Sequence, residues 1–240
     1  FFVLGEKMKF EAILFDLDGT LLPMDNDIFV KGYLEILIKS VENLGYTFET
    51  LIPAMWKGVE KMTVNNGEKS NCSVFWSCLA DTFGDRVYNE IPVFDEFYKT
   101  EFNNAKAFTN ESKISKEIVD RAKKIADKVI LATNPLFPRV AVNTRLSWVG
   151  LSDSDFDYVT DYENSSYCKP NPKYYETILN KFNLNAERCI MIGNNVEEDI
   201  ISAKSIGLDT YLVTDCLICK GNKPDTAGGS LQELLSFLQE

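Results

Sequence analysis

The sequence contains no histidine, and this absence narrows its chemistry more than any other feature of its composition. Without an imidazole group, a Ser-His-Asp triad, a histidine zinc site and a histidine general base are all excluded. Any catalysis must therefore depend on carboxylates, amides, hydroxyls, lysine, cysteine or a metal ion held by oxygen ligands.

Long apolar runs and a regular cysteine framework are also missing. The longest apolar runs fall well short of the roughly 18 residues that a transmembrane helix needs, so no membrane span is expected. The six cysteines are scattered, and Cys216 and Cys219 form a single C-x-x-C pair with no second pair to complete a zinc site. We expect a cytoplasmic protein with reduced thiols. We expect no signal peptide in residues 1–7, which are too short for one, and we interpret Met8 as the natural start.

Positive charge is scarce, with 25 Lys and Arg against 36 Asp and Glu and a net charge of −11. An acidic chain repels nucleic acid and anionic membrane surfaces, so neither is expected as a partner. An anionic substrate would need a locally positive site, most simply a bound divalent cation.

The 240 residues, 45% of them hydrophobic, fit one large domain or a domain that carries a smaller inserted one. The sequence leaves the oligomeric state open.

One stretch near the N-terminus combines a buried strand with two closely spaced carboxylates. The apolar residues 12–15 predict a short strand buried on both faces, and Asp16 and Asp18 follow it. Side chains two residues apart in an extended segment leave on the same face. Gly19 lets the backbone bend away, and Thr20 adds a hydroxyl. Two like charges this close favour a cation or a shared proton between them, although Asp-x-Asp-Gly alone also occurs in calcium loops.

The next part of the chain has helical periodicity and no strand signal. Apolar spacing and turn residues predict four helices within residues 24–105, at about 27–43, 50–64, 72–83 and 92–102, with Pro92 in the first turn of the last. From Ser112 onwards, helices at about 112–127, 139–149, 172–182, 196–206 and from Ser230 alternate with strands at about 129–132, 156–160, 189–192 and 210–213. The alternation predicts an α/β fold with a doubly wound parallel sheet, built from residues 8–23 and 106–240, with residues 24–105 inserted as an all-helical cap domain.

Polar residues follow three of the predicted strands directly. They are Asp16 and Asp18, then Thr133 and Asn134, then the stretch 193–195. Ligands of doubly wound sheets bind outside the carboxyl ends of the strands. The sequence therefore predicts that these side chains form one site.

These residues resemble the motifs of the haloacid dehalogenase-like hydrolases, and the resemblance covers nearly the whole chain. It rests on residues 16–20 (Asp-Leu-Asp-Gly-Thr), Thr133, Lys169-Pro170, and residues 193–199 (Gly-Asn-Asn-Val-Glu-Glu-Asp), in that order. The resemblance implies a Rossmann-like core with a helical cap inserted after the first motif, and a phosphatase as the leading activity.

The resemblance also implies roles for five residues. Asp16 would be the nucleophile that forms an aspartyl-phosphate, and Asp18 would protonate the leaving oxygen and later deprotonate water. Thr133, Asn134 and Lys169 would bind the phosphate oxygens, the first two as hydrogen-bond donors and the lysine as a positive charge. The expected substrate is a small phosphorylated metabolite.

Magnesium is the cofactor that the resemblance implies. Asp16, the backbone carbonyl of Asp18, and Asn194 would hold the ion, with Glu198 and Asp199 supporting it through water or neighbouring groups. Asn194 stands where the family commonly has aspartate, so the site has one formal negative charge fewer. We expect this change to weaken magnesium binding or to shift it onto Glu198 and Asp199.

Several alternatives remain open at this point. A phosphomutase would need the same motifs, and a non-catalytic binding or regulatory protein would explain Asn194 as a degraded metal site. A haloacid dehalogenase proper is disfavoured because a halide needs no proton from Asp18. A phosphonate hydrolase would need a Schiff-base lysine from the cap, and no cap lysine lies in a diagnostic context. Lys69 and Asn71, in a polar loop of the cap, are weaker candidates for substrate contact.

Overall fold

Six parallel strands form one sheet in the computed structural model, which describes residues 8–239. The strands are β1 (Phe10–Phe15), β2 (Ala126–Leu131), β3 (Tyr158–Val159), β4 (Cys189–Gly193), β5 (Asp209–Val213) and β6 (Ala227–Gly229). Their order is β3-β2-β1-β4-β5-β6, so β1 lies inside the sheet between β2 and β4. The predicted α/β fold with a parallel sheet is confirmed.

The apolar run of β1 explains its inner position. Ala12, Ile13, Leu14 and Phe15 are all completely buried. Ile13 and Phe15 pack into one hydrophobic cluster, whereas Ala12 and Leu14 pack into another on the opposite face of the sheet. Burial of a large apolar side chain contributes about 1.5–3 kcal/mol relative to exposure, so this strand is held from both faces.

Helices cover the sheet and also form the segment between β1 and β2. That segment contains α1 (Asn26–Val41), α2 (Phe48–Thr63), α3 (Asn71–Phe83), α4 (Arg86–Lys99), the 3₁₀ segment Glu101–Phe108 and α5 (Ser115–Ile125). Later in the chain come α6 (Arg139–Trp148), α7 (Pro172–Phe182), the π-helical segment Val196–Ile201, which leads into α8 (Ser202–Lys204), and α9 (Leu231–Phe237).

Most of this segment, residues 24–109, is called the helical segment below, and it leaves and rejoins the rest of the chain at neighbouring points. Met24 and Thr109 form an isolated antiparallel bridge, and the Asn110 amide donates to the Pro23 carbonyl at 2.8 Å. Between these points the described chain contains no sheet strand. This arrangement is what an inserted unit requires, and the division into a core and a cap at residues 24–105 stays a prediction.

The largest differences from the predictions concern three elements. Helix α4 begins at Arg86 and runs through Pro92, because Val87 is buried along with Phe94 and extends the apolar face towards the N-terminus. The strand predicted at 156–160 has only two residues, because it pairs only with Ile130 and Leu131 at the C-terminal end of β2. Strand β6 was not predicted because Ala-Gly-Gly has low strand propensity, and only its pairing with β5 makes it a strand.

Two further expectations concern location. In residues 8–239 no helix is both long enough and apolar enough to cross a membrane. The interpretation of Met8 as the natural start concerns residues 1–7, which lie outside the described residues.

Candidate active site

The loop after β1 approaches the loop after β4 closely, and Gly19 makes this approach possible. Its φ is +84°, in the left-handed region that favours glycine. A Cβ at this position would lie 2.2 Å from Nδ2 of Asn194, closer than any real contact. The Gly19 amide donates to the Leu22 carbonyl at 2.8 Å, which closes the turn. The two predicted motifs are thus held against each other.

Oxygen atoms of Asp16 and Asn194 converge on the Thr20 hydroxyl. This hydroxyl lies 3.2 Å from Oδ2 of Asp16 and 3.1 Å from Oδ1 of Asn194. The side-chain amide of Asn194 donates through Nδ2 to the Cys216 carbonyl at 2.6 Å. That bond fixes the amide, so its oxygen faces the Asp16 loop.

A buried lysine, Lys169, links the carboxylates of Asp16 and Asp199. Nζ of Lys169 donates to Oδ1 of Asp16 at 2.9 Å and to Oδ1 of Asp199 at 2.6 Å, and Lys169 is only 1% exposed. Burial alone would lower the pKa of Lys169, but the two carboxylates outweigh it and hold that pKa well above its usual value. The lysine therefore stays protonated and aligns the Asp16 carboxylate.

Asp199, within the π-helical segment, accepts hydrogen bonds through both of its carboxylate oxygens. Its Oδ2 accepts from the Asn195 amide at 3.0 Å while its Oδ1 accepts from Lys169. A Cβ on Gly193 would lie 2.2 Å from Oδ2 of Asp199, so only glycine leaves room for this carboxylate. Burial raises the pKa of Asp199, and the Lys169 ammonium opposes this rise.

The Asn134 side chain connects the loops after β2 and β4. Its Nδ2 donates to Oε2 of Glu198 at 2.9 Å, and its Oδ1 accepts from the Lys169 backbone amide at 3.2 Å. The neighbouring Thr133 is 2% exposed, and its carbonyl accepts from the Tyr174 hydroxyl at 2.9 Å. These bonds set the position of the segment that carries Lys169.

Asp18 faces an arginine that sequence reasoning missed. Nε of Arg145, on α6, lies 3.0 Å from Oδ1 of Asp18, and the arginine side chain is completely buried. Within residues 8–239 none of its three nitrogens makes a directed hydrogen bond, so the contact is an ion pair only. Its guanidinium carbon lies 4.2 Å from the centre of the Phe137 ring. Burial raises the pKa of Asp18, and the charge of Arg145 opposes this rise.

Most of the predicted side chains line one cavity with a volume of about 180 Å³. Apart from Lys169, which lies buried against Asp16 and Asp199, all the residues to which the resemblance gave a role line it. Its lining therefore includes Asp16, Asp18, Thr133, Asn134, Asn194, Glu198 and Asp199.

The two weaker candidates lie elsewhere. Asn71 is completely buried and donates to the Pro135 carbonyl at 3.2 Å, while its own oxygen accepts from Asn65 at 2.8 Å. It therefore joins the helical segment to the loop after β2. Lys69 is exposed, and neither residue lines the cavity around Asp16.

Comparison with known families agrees with this arrangement of motifs. The model of the haloacid dehalogenase-like hydrolases matches residues 10–207. The chain belongs to this family. The match spans the Asp16 loop, both later strand ends and the segment that carries Lys169.

Relatives of this family member cover almost its entire length. Pyrophosphatase PpaX of Bacillus mycoides is 25% identical over 235 residues, which cover 96% of this chain and 98% of that protein. The HAD-hydrolase YfnB of Bacillus subtilis, whose crystal structure is bound to magnesium, has a TM-score of 0.59 at 17% identity and covers 96% of this chain. A predicted phosphoglycolate phosphatase of Haemophilus somnus has a TM-score of 0.56 at 18% identity and covers 97%. Both alignments cover 99% of the matched structure.

The oxygen atoms at the site fit magnesium, the cofactor that the family implies. Residues 8–239 hold no group of three or more His, Cys, Asp or Glu side chains placed to bind a metal. Asp16 and Asn194 nevertheless present one carboxylate and one amide oxygen on either side of Thr20. Magnesium commonly binds through one or two carboxylates and completes its shell with water and substrate phosphate. The donor set suits such a partly open site.

Proposed function

We propose that this hydrolase is a magnesium-dependent phosphatase that cleaves small phosphomonoesters through an aspartyl-phosphate at Asp16. The observation that carries the proposal is the fixed orientation of Asp16 in the cavity. Lys169 holds one of its carboxylate oxygens and Thr20 contacts the other. A nucleophile held in this way loses little freedom when it reacts.

In the first step an Asp16 oxygen forms a bond to phosphorus while the bond from phosphorus to the ester oxygen breaks. Asp18 gives a proton to the departing alkoxide, and its raised pKa favours the protonated form that this step needs. Thr133 and Asn134, which line the same cavity, would contact the phosphate oxygens. Lys169 would keep the Asp16 carboxylate aligned.

In the second step Asp18 takes a proton from a water molecule. The water oxygen bonds to phosphorus, the bond from phosphorus to Asp16 breaks, and inorganic phosphate leaves. Asp16, Asn194 and the Asp18 carbonyl would hold magnesium, with Glu198 and Asp199 in support. The bound ion would supply positive charge that offsets the repulsion between the phosphate and the Asp16 carboxylate.

Inorganic pyrophosphate is a second candidate substrate, favoured by the name of the Bacillus relatives. The same two steps apply, with phosphate as the leaving group in place of an alkoxide. The two candidates are separated by their relative kcat/KM. A phosphomutase on the same fold would instead return the phosphoryl group to a sugar phosphate and release little free phosphate.

The test is phosphate release from 4-nitrophenyl phosphate with and without magnesium. We expect magnesium-dependent activity that Asp16→Asn lowers by at least about 10⁴-fold, since removal of a nucleophile typically costs this much or more. Asp81→Asn, the same change at an exposed aspartate of α3, should leave kcat unchanged. Activity that survives in Asp16→Asn would contradict the assignment of Asp16 as the nucleophile. A wild-type protein with no activity would favour a binding or regulatory role.

A further inference from the structure

A second cavity lies beside the one that contains Asp16, and it is lined mainly by aromatic rings. It is formed largely by the helical segment and has a volume of about 120 Å³. Its aromatic lining includes Tyr33, Phe75, Trp76, Phe94, Tyr98 and Phe137. Among residues 8–239, no Asp, Glu, Lys or Arg lines it.

The two cavities share part of their walls. Val30, Leu136 and Phe137 line both of them. A phosphate that lies against Asp16 would therefore have its ester group next to the aromatic cavity. We propose that this cavity binds the leaving group of the substrate and that this group carries an aromatic ring. This inference rests on the proposed phosphatase function and narrows it to aryl and arylalkyl phosphates.

The size of the cavity fits one ring. An engineered apolar cavity of about 150 Å³ in another protein binds benzene, and the volume here is close to that. A fused or extended aromatic system would need the walls to move.

The arrangement of the lining rings also fits an aromatic ligand. Trp76 and Phe94 meet edge to face with centroids 5.3 Å apart, and Tyr33 and Phe137 do so at 5.6 Å. Aromatic pairs prefer such geometries, and a further ring between these walls would extend the same network. The Trp76 indole N–H already donates to the Tyr162 hydroxyl at 3.1 Å, so it does not add a free donor to the cavity.

The electrostatic character of the cavity argues against a second anionic group or a polyhydroxylated chain. Burial raises the pKa values of Tyr33 and Tyr98, so both phenols stay neutral at neutral pH. A second phosphate would find no cationic side chain among the described residues that line the cavity. Sugar hydroxyls would exchange water for carbon-rich walls, which is costly without replacement hydrogen bonds.

The first experiment compares benzyl phosphate with 2-hydroxyethyl phosphate. Both release a primary alkoxide, so the chemistry at phosphorus is matched and only the group in the second cavity differs. We expect kcat/KM for benzyl phosphate to be about 10- to 100-fold higher, the range that corresponds to burial of one apolar ring. Equal values, or a preference for the hydroxyethyl ester, would overturn the proposal.

A matched pair of variants tests whether the aromatic cavity causes the preference for benzyl phosphate. Val59→Trp on α2 places an indole in the cavity, whereas Val93→Trp on α4 places it at a position that is 40% exposed. Val59→Trp should remove the preference for benzyl phosphate, and Val93→Trp should keep it. Loss of the preference in both variants, or in neither, would contradict the assignment. Val59→Ala serves as a second variant, which should raise kcat/KM for 2-naphthylmethyl phosphate relative to benzyl phosphate.

A binding measurement separates this inference from the phosphatase function itself. Benzyl alcohol, which carries no phosphate, is titrated calorimetrically into wild type, Val59→Trp and Val93→Trp. We expect binding to wild type and Val93→Trp and a loss of at least tenfold in Val59→Trp. If this pattern appears while neither ester is hydrolysed, the aromatic site stands and the phosphatase function fails. If both esters are hydrolysed equally and benzyl alcohol does not bind, the aromatic site fails and the phosphatase function stands.

Discussion

The carboxyl end of the sheet and the aromatic cavity are neighbours with opposite properties. The first gathers charged groups, with Lys169 between Asp16 and Asp199 and Arg145 against Asp18. In the part of the chain that the structure describes, no charged residue lines the second. The two proposals above amount to a division of work, in which residues at the strand ends would supply the chemistry and the aromatic cavity would select the group attached to the phosphate. The two regions should therefore respond differently to substitution.

Lys169→Met should give the largest effect in the charged region. It removes the cation from between two buried carboxylates, and loss of one partner of a buried ion pair typically costs about 3–5 kcal/mol. Urea unfolding should show this loss, and kcat should fall by about 10³-fold because Asp16 is no longer aligned. The double variant Lys169→Met/Asp199→Asn should recover part of the stability but not the activity.

Leu79→Ala is the matched change in the aromatic cavity. Leu79 is completely buried and lines that cavity, so its truncation should also cost about 3–5 kcal/mol. The kcat for 2-hydroxyethyl phosphate, however, should stay within about twofold of wild type, because the groups around Asp16 are intact. If Leu79→Ala lowers this kcat as strongly as Lys169→Met does, the division of work between the two regions is wrong.

Arg145→Met should show a smaller effect that depends on the leaving group. Arg145 contacts Asp18 and not the reacting atoms, so we assign it a positioning role. A benzyl alkoxide needs the proton from Asp18, and kcat for benzyl phosphate should fall by about 10²-fold, the range of one general acid. A nitrophenolate leaves without a proton, so kcat for 4-nitrophenyl phosphate should fall much less.

Arg145→Lys is the conservative control for this positioning role. It keeps a positive charge near Asp18 and should restore part of the lost activity towards benzyl phosphate. Equal losses for both substrates, with no difference between the methionine and lysine variants, would indicate a purely structural role for Arg145.

The smallest effect is expected for Asn194→Asp. The amide of Asn194 donates to the Cys216 carbonyl, and a carboxylate would place an oxygen against that carbonyl instead. Loss of this bond should lower stability without magnesium by about 1–3 kcal/mol. The added charge should make magnesium raise the melting temperature more than it does in wild type. If magnesium stabilises both proteins equally, Asn194 does not contribute to the metal site.

The parts of the molecule that could be predicted from sequence are those set by local pattern. The buried run before Asp16 and the polar residues after β2 and β4 place the cavity, because parallel strands end at one edge of the sheet. The family resemblance added Lys169, which the structure places between Asp16 and Asp199. The roles given to these side chains stay predictions.

The parts that could not be predicted depend on contacts between distant segments. Strand β6 is a strand only through its pairing with β5, and the walls of the aromatic cavity come from several helices and loops. One feature of the sequence could have indicated that Arg145 is buried: it shares a helix face with the apolar residues Val142 and Leu146, which are buried. A charged residue at apolar spacing indicates a buried partner, but only the fold identifies that partner as Asp18.

The central claim, nucleophilic attack by Asp16, is tested most directly by trapping the acyl phosphate. The enzyme is mixed with substrate and magnesium, quenched during turnover and treated with borohydride, which reduces an aspartyl-phosphate to homoserine. Peptide mass spectrometry then locates the product. We predict homoserine at position 16 only when substrate is present, and none at position 18. Homoserine at position 18, or none at position 16 while phosphate is released, would contradict the account.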